Sequence, residues 1–201
     1  MSGKLIKFGK ANPSDSFRIA CLHKREISMG FLSQQPTAFL KILYSFLIKK
    51  EIVYVAKIDG KVIGFVSGTS NTGRLYKNFI TQNFLNLIPF IIKVIFSPAF
   101  IKKSFESLLI PKKLSSNKSF NLPELLSIAV DKNFRGKGIG ERLVKCLENE
   151  FAENGVLQYK VIVGAQLIAN KFYRRLGFVK KGEVIIHNGE ISNIYIKQID
   201  R

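Results

Sequence analysis

Cysteine is scarce in this chain, which has only two, Cys21 and Cys146, among 201 residues. They lie far apart in segments with helical patterning, so the sequence predicts neither a disulfide framework nor a metal site. Such sparing use of cysteine fits a reducing compartment. The first residues, MSGKLIKFGKANPSDS, also lack the apolar core of a signal peptide. Together these absences predict a cytoplasmic protein without a resident metal ion.

Acidic residues are also scarce: 14 Asp and Glu stand against 32 Lys and Arg, which gives a net charge of +18. This surplus favours an anionic partner, and a phosphorylated ligand, a nucleic acid or a membrane surface would fit. Recognition-helix, RNP and zinc-finger patterns are missing, so no specific nucleic-acid partner is expected. A length of 201 residues with 46% hydrophobic residues is typical of one globular α/β domain spanning residues 1–201.

Hydrophobic periodicity and turn residues predict strands and helices along most of the chain. Two β-rich runs flank Asp59-Gly60, a strong hairpin signal, and another pair flanks Asn188-Gly189. Apolar residues four apart mark the buried face of a helix, at Ile139, Leu143, Leu147 and Phe151. Strands are predicted at residues 5–8, 52–58, 62–69, 125–130, 159–163, 178–186 and 191–196, and further helices at 13–24, 39–48 and 169–176.

Residues 71–118 differ from the rest of the chain, because they combine eight Lys or Arg residues with a single acid, Glu106. They also contain the most apolar stretch, FLNLIPFIIKVIFSPAFI. We expect helices that are interrupted at Pro89 and Pro98. The stretch 84–101 is only 18 residues long and includes a lysine, so a membrane-spanning helix is not expected.

A glycine-rich basic loop, VDKNFRGKGIGE at residues 130–141, follows the apolar run LLSIAV and precedes a helix-patterned run. A helix N-terminus exposes unpaired N–H groups, and glycine lets a ligand approach the backbone closely. Arg135 and Lys137 add positive charge, so the loop predicts a phosphate or pyrophosphate site. A P-loop motif is missing, and the Gly-x-Gly-x-x-Gly fingerprint fails because its third position is Leu143 or Glu141.

The loop does match Arg/Gln-x-x-Gly-x-Gly/Ala, with Arg135, Gly138 and Gly140 at the defined positions. A later helix ends in FYRRLGF at residues 172–178. This order of strand, loop, helix, strand and helix resembles the GCN5-related N-acetyltransferases, the GNAT family, over nearly all of the chain except residues 71–118. The resemblance implies an α/β (α+β) fold with a mixed, mostly antiparallel twisted sheet of about seven strands flanked by helices. Residues 71–118 would then be a helical insertion in the central hairpin.

The resemblance implies acetyl-CoA as the cofactor, with no metal. Its pyrophosphate would contact the loop, at Arg135, Gly136, Lys137, Gly138, Ile139, Gly140 and Glu141. Its pantetheine arm would pair with the preceding strand at Ile128, Ala129 and Val130, where that strand and the next splay apart and leave backbone groups free. The family often has Asn seven residues before its catalytic tyrosine. Gln166 stands there in this chain, and it keeps the amide on a longer arm.

The mechanism that the resemblance implies is direct attack of a neutral amine on the thioester in a ternary complex. Tyr173 matches the tyrosine that can donate a proton to the leaving thiolate, with core packing as the structural alternative. The amine must first lose a proton, and Glu124, at the start of the central strand, and His23, in an early helix, are the candidate bases. His187 lies near a predicted hairpin tip and is less well placed. Cys146 is expected to serve packing.

The acceptor is expected to be a primary amine on a small molecule. An amino sugar or nucleotide-linked sugar is favoured by the cationic charge and by a similarity of LHKREISMGFLSQQ to acetyltransferases of envelope polysaccharide synthesis. A protein or peptide N-terminus, a non-catalytic acyl-CoA-binding role and a nucleic-acid-binding module stay open as alternatives. Residues 71–118 have three possible interpretations. They could be a helical cap that packs on the domain itself or on a second subunit in a homodimer, or a lid over an anionic acceptor. They could also form a peripheral membrane contact through residues 84–110.

Overall fold

The computed structural model of the chain describes residues 5–95, 122–185 and 190–199. Strands and helices alternate along them. In chain order they are β1 (Lys7–Lys10), α1 (Ser16–Glu26), α2 (Phe31–Gln34), α3 (Thr37–Lys50), β2 (Ile52–Ile58), β3 (Lys61–Thr69), α4 (Thr72–Ile95), β4 (Glu124–Val130), α5 (Ile139–Glu153), β5 (Gln158–Gly164), α6 (Ala169–Arg175), β6 (Val179–Ile185) and β7 (Ile191–Gln198).

The strands follow the order β1-β2-β3-β4-β5-β7-β6 in the sheet. The pairs β1-β2, β2-β3, β5-β7 and β7-β6 are antiparallel. The predicted α/β class, with about seven strands flanked by helices, is therefore confirmed. The chain divides into two compact units: the described part of the first is residues 5–70, 125–157 and 199, and that of the second is 71–95, 122–124, 158–185 and 190–198.

The hairpin between β2 and β3 turns at Asp59-Gly60, as predicted. Asp59 has a φ of 47° and Gly60 a φ of 74°. Two consecutive left-handed residues are what a type I′ turn requires, and Asp and Gly tolerate that conformation best. The second predicted turn, Asn188-Gly189, lies outside the described residues, although the flanking strands β6 and β7 do pair.

Helix α5 buries its predicted apolar face. Each of the four residues that define this face is at most 2% exposed: Ile139, Leu143, Leu147 and Phe151. The helix packs on β2 and β3. The helix approaches β3 closely at Gly68, which has no side chain. A Cβ at this position would lie only 2.6 Å from Leu147 Cδ1. This packing positions α5, and with it the start of the helix, on strands of the first unit.

Several predicted boundaries move by a few residues. Strand β1 runs from Lys7 to Lys10 rather than over residues 5–8, because its pairing with β2 extends as far as Lys10. The helix predicted at 13–24 begins only at Ser16, since Pro13–Asp15 forms a separate 3-10 turn. The helix predicted at 39–48 is longer, and the short helix α2 before it was not predicted.

The main correction concerns α4, which continues through Pro89. The predicted interruption at Pro89 is therefore wrong. A proline inside a helix removes the hydrogen bond to the carbonyl four residues earlier, here that of Leu85. Leu85 itself is 78% exposed. Pro98 and the rest of the segment, residues 96–118, lie outside the described residues.

Candidate active site

Strand β4 ends in a short turn that leads the chain into α5. The Asp131 N–H donates to the Ile63 carbonyl on β3 at 2.8 Å. The carboxylate of Asp131 accepts from the Asn133 N–H at 3.0 Å, and its carbonyl accepts from the Phe134 N–H at 2.9 Å. These bonds close the 3-10 turn Lys132–Phe134. The segment that follows, residues 135–141 (the glycine loop), therefore starts from a fixed point on the sheet.

The glycine loop reaches α5 through two left-handed residues. Gly136 has a φ of 76° and Gly138, which is the N-cap of α5, a φ of 71°. A Cβ on either residue would meet no atom within 4 Å. The backbone conformation, and not a lack of space, thus favours glycine at both positions. Both residues are exposed, so the backbone here is open to a ligand.

The glycine loop also presents a run of unpaired backbone N–H groups. Within the described part of the chain, none of the N–H groups of residues 136–141 donates to a backbone carbonyl, and α5 has no side-chain cap. The first bond of the helix runs from the Arg142 N–H to the Gly138 carbonyl at 3.0 Å. The partial positive charge of the helix dipole falls at the same place. Such a run of donors suits a phosphate group.

The charged side chains at the start of the loop are paired with one another. Arg25, Glu26, Asp131 and Arg135 form this cluster, called here the Glu26 network. The Glu26 carboxylate accepts from Arg135 Nη2 at 2.6 Å and from Arg25 Nε at 2.8 Å. Arg25 Nη2 reaches Asp131 at 2.6 Å, and Arg135 Nε donates to the Val130 carbonyl at 3.1 Å. The predicted cofactor residue Arg135 therefore links the end of α1 to the end of β4.

Two further cations at the loop lie against aromatic rings. Lys137 Nζ is 5.6 Å from the ring centroid of Phe134, and the guanidinium carbon of Arg142 is 4.4 Å from that of Phe8. A cavity of about 330 Å³ lies beside them, between the N-terminal segment around Leu5 and the first turn of α5. Both cations are exposed. Positive side-chain charge therefore adjoins the unpaired N–H groups.

The three residues predicted to meet the cofactor arm lie together on β4, just before the glycine loop. Ala129 is 7% exposed, whereas Ile128 and Val130 are half-buried. The end of this strand is held twice, by the Asp131 N–H and by Arg135. The structure thus joins the predicted arm-binding strand directly to the predicted phosphate loop within the first unit.

His23 lies in the core of the first unit, where it is 1% exposed. Its Nδ1 is 2.6 Å from the Tyr44 hydroxyl, which also forms a hydrogen bond with Ser127 on β4. Its ring stacks on Phe65 with the centroids 6.3 Å apart. Burial, with the nearby charge of Lys24, lowers the pKa of His23 to about 4. The imidazole is therefore neutral near neutral pH and accepts a proton reluctantly.

Tyr173 lies on α6 in the second unit, and its ring is buried. The ring packs edge-on against Phe172 and Phe178, each with centroids 5.3 Å apart. It also stacks on Tyr195, with the centroids 6.5 Å apart and the planes at 27°. Burial raises the pKa of the phenol, so its hydroxyl stays protonated. No hydrogen bond ties this hydroxyl to another described residue. Packing alone accounts for the burial of the ring.

The turn from β5 into α6 is held by Asn170. Its Nδ2 donates to the carbonyls of Gly164 at 2.9 Å and Leu167 at 2.6 Å, and its Oδ1 accepts from Asn193 at 2.8 Å. Gln166, the predicted cofactor contact, is exposed on the same turn. Asn170 therefore shapes the turn, and this leaves the Gln166 amide facing solvent.

Glu124, the first residue of β4, lies beside a buried lysine. Its Oε2 accepts from Thr72 Oγ1 at 2.9 Å and is 3.2 Å from Lys160 Nζ. The side chain of Lys160 is 2% exposed and that of Glu124 is 13% exposed. Because a buried ammonium group needs a carboxylate partner, Glu124 has a structural task. Its partial exposure still leaves the carboxylate within reach of a ligand.

The remaining candidates add no further chemistry to the site. Cys146 is half-buried on α5, and burial raises the pKa of its thiol, which suits packing rather than nucleophilic attack. His187 lies outside the described residues. Within residues 5–95, 122–185 and 190–199, no group of three or more His, Cys, Asp or Glu side chains is arranged to hold a metal ion.

Comparison with known proteins identifies the family. The model of the acetyltransferase (GNAT) family matches residues 20–178. The chain belongs to the GNAT family. The matched range contains the glycine loop, β4 and α6, and with them every candidate site residue named above from His23 to Tyr173. No curated protein matches the chain.

Solved GNAT structures share the fold at low sequence identity. A polyamine N-acetyltransferase from Drosophila melanogaster superimposes with a TM-score of 0.66 at 10% identity, covering 96% of this chain and 100% of that one. The ribosomal-protein-alanine N-acetyltransferase of Escherichia coli gives 0.60 at 15% identity, covering 98% and 96%. The yncA protein of Salmonella typhimurium, solved with its cofactor acetyl-CoA, gives 0.59 at 15% identity, covering 98% and 95%. Identities this low show the fold alone.

Two residues that organise the GNAT site were not found by sequence reasoning. Glu26 belongs to no motif, and its partner Arg135 follows 109 residues later, so only the tertiary fold brings them together. Asn170 matches no motif of the sequence, so no structural role was predicted for it. The available signal was an Asn in a short strand-to-helix turn, a position where its side chain often binds nearby backbone groups.

Proposed function

We propose that this GNAT chain transfers an acetyl group from acetyl-CoA to a primary amine. The observation that carries the proposal is the run of unpaired N–H groups at residues 136–141, at the positive end of α5. A pyrophosphate group offers several anionic oxygens to such a run. The binding of acetyl-CoA by a structural relative, yncA, supports the same cofactor here.

The backbone, more than the side chains, holds the pyrophosphate in this proposal. Gly136 and Gly138 give the loop its left-handed turns and leave its N–H groups exposed. Arg135 is already engaged by Glu26 and the Val130 carbonyl, so its task is to fix the start of the loop. Lys137 and Arg142 add attraction for the phosphates from the side.

Strand β4 and Tyr173 have separate tasks. Ile128, Ala129 and Val130 offer backbone groups that pair with the pantetheine arm as an added strand does, and Gln166 is a side-chain contact for the same arm. Bound acetyl-CoA supplies the activated thioester. Backbone N–H groups of β4 stabilise the negative charge that develops on its carbonyl oxygen. The Tyr173 hydroxyl donates its proton to the sulfur of the leaving thiolate.

Glu124 is the better of the two candidate bases. Its carboxylate is partly exposed and anchored by Thr72 and Lys160, so it is a fixed acceptor for the proton of an incoming ammonium group. His23 is almost fully buried, and its pKa is lowered to about 4. Its hydrogen bond with Tyr44, and the bond between Tyr44 and Ser127, give it a task in supporting β4 instead.

The acceptor favoured by this chain is an anionic or sugar-linked primary amine, such as an amino sugar on a nucleotide. A chain with a net charge of +18 attracts an anionic acceptor and repels a polyamine. Structural relatives act on a polyamine and on a ribosomal protein. Both acceptor classes therefore belong in any test.

The test combines calorimetry with a transfer assay. The purified chain is titrated with acetyl-CoA, and separately with NADH and a short DNA duplex as controls. Release of free CoA thiol is then followed with a nucleotide-linked amino sugar, a polyamine and a peptide with a free N-terminus. We expect one-site binding of acetyl-CoA alone and turnover with the amino sugar.

Each contrary result removes a defined part of the proposal. Absence of acetyl-CoA binding, with heat from the DNA duplex instead, would refute the cofactor assignment. Binding without turnover on any amine would leave an acyl-CoA-binding protein and contradict the transfer. Turnover on the peptide or polyamine alone would contradict the acceptor class but not the reaction.

A further inference from the structure

Helix α4 presents large apolar side chains to solvent. Leu75, Phe79 and Leu87 are buried, with exposures of 2%, 5% and 6%. Five others are exposed, and we call them the α4 face. They are Tyr76 at 46%, Ile80 at 40%, Phe84 at 55%, Leu85 at 78% and Ile92 at 47%. At about 100° per residue, the five lie within roughly half of the helix circumference.

The charge on this helix has one sign. From Thr72 to Ile95 the sequence contains three basic residues and no acid. Arg74 and Lys77 are exposed, and their positions fall within the same half of the helix as the α4 face. The wider segment 71–118 repeats this bias, with eight basic residues and one acid. The face is therefore apolar and cationic at once.

This combination discriminates among the occupants that could cover the face. A second copy of the chain would bring the same cations and another net charge of +18 to the interface, so like charges would oppose its docking. An anionic lipid surface complements both properties, because headgroup phosphates pair with cations and the acyl boundary accepts apolar side chains. No helix among the described residues is long and apolar enough to cross a membrane.

We propose that the α4 face docks on the surface of an anionic membrane. The helix lies in the plane of the interface, with Phe84 and Leu85 entering the boundary between headgroups and acyl chains. Arg74 and Lys77 meet lipid phosphates beside them. The contact places the chain on a bilayer without spanning it, and it is independent of the acetyl transfer proposed above.

Sedimentation with lipid vesicles tests the proposal on the full chain. Vesicles of phosphatidylcholine with phosphatidylglycerol are compared with vesicles of pure phosphatidylcholine. Phe84→Glu is compared with Leu157→Glu, because Phe84 is 55% and Leu157 54% exposed and both changes add one negative charge. We expect wild type and Leu157→Glu to sediment with the anionic vesicles only. The vesicle affinity of Phe84→Glu should fall by about tenfold or more.

Contrary outcomes are distinct. If wild type does not sediment with the anionic vesicles at low salt, the proposal is wrong. Equal losses in the two variants would show attraction by net charge alone and would refute a role for the α4 face. A dimer in solution that Phe84→Glu dissociates would assign the face to a second copy. If wild type does not bind the vesicles and the melting temperature falls in Phe84→Glu but not in Leu157→Glu, the chain itself covers the face.

Discussion

The glycine loop and the Glu26 network adjoin each other, but they differ in whether their polar groups have hydrogen-bond partners. Among the described residues, the N–H groups of residues 136–141 in the loop have no backbone partner, although every one of them is a strong donor. The network pairs all four of its charged side chains at distances from 2.6 to 2.8 Å. A ligand can gain hydrogen bonds from the loop and has little to gain from the network.

This difference distinguishes groups that can bind a ligand from groups that stabilise the loop. Motif reading alone credits Arg135 with a charge for the pyrophosphate, but its guanidinium is engaged by Glu26 and the Val130 carbonyl. In the proposed function, the unpaired groups hold the ligand and the paired groups hold the site in shape. Changes to unpaired groups should affect catalysis or binding strongly, whereas changes to paired groups should affect stability or alter binding only weakly.

Loss of the unpaired Tyr173 hydroxyl should have the largest effect on turnover. In Tyr173→Phe the leaving thiolate has no proton donor, so kcat should fall by about a hundredfold. The ring packing against Phe172 and Phe178 is kept, so the affinity for acetyl-CoA measured by calorimetry should not change.

Tyr195→Phe is the matched control, because Tyr195 is also buried and stacks on Tyr173. Its kcat should stay close to that of wild type. If Tyr173→Phe turns over as fast as wild type, Tyr173 serves packing only.

A buried and paired group, His23, should affect stability instead. Its pKa is lowered from 6.5 to about 4 in the folded chain, so between these values the unfolded chain binds a proton that the folded chain does not. The stabilisation is complete above the unfolded pKa and is lost as the pH falls toward 4. The free energy of unfolding should decrease over this range by about 3 kcal/mol from His23.

Denaturant titrations at a series of pH values measure this decrease. His23→Asn, which keeps a polar partner for Tyr44, should lose most of the slope in that pH window. An unchanged slope in the variant would mean that other groups titrate there.

Breaking the Glu26 network should have the smallest of these effects. Glu26→Gln removes the charge that holds Arg135, so the loop is less well organised before the cofactor binds. The KM for acetyl-CoA should rise by about threefold, since partly exposed ion pairs contribute about 1 kcal/mol or less. The kcat at saturation should stay the same.

Glu150→Gln is the matched control, because Glu150 also accepts from a cation, Lys10 at 2.8 Å, and lies on α5 away from the loop. It should leave KM unchanged. Equal effects of the two substitutions would reduce the Glu26 network to general stabilisation. A large loss of kcat in Glu26→Gln would place Glu26 in the chemistry instead.

The sequence predicted those parts of the molecule that short-range patterns specify. The Asp59-Gly60 turn needs only two residues that accept positive φ, and the face of α5 needs only a four-residue spacing. The glycine loop, seven residues long, combines glycines that accept positive φ with the first apolar residue of the α5 face. The family model that matches residues 20–178 agrees with the motifs that define it.

What the sequence did not predict depends on residues far apart in the chain. The partners of Arg135 and Tyr44 lie at Glu26 and at Ser127, and no periodicity connects them. The helix α4 also continues through Pro89, which no local signal in the sequence indicates. Tertiary context thus decided between a broken and a continuous helix against the local preference of proline.

The most direct test of the account is the acetyl-CoA affinity of Gly138→Asp beside that of Gly155→Asp. Gly138 and Gly155 lie at opposite ends of α5, with φ of 71° and 75° and open space around a Cβ, so both variants carry the same backbone strain and the same added charge. Among residues with a side chain, Asp is one of those that adopt the left-handed region most readily, so Gly138→Asp should fold. A carboxylate beside the pyrophosphate should weaken binding by about a hundredfold or more in Gly138→Asp, with wild-type affinity in Gly155→Asp. Equal affinities in a folded Gly138→Asp would contradict the assignment of the glycine loop as the pyrophosphate site.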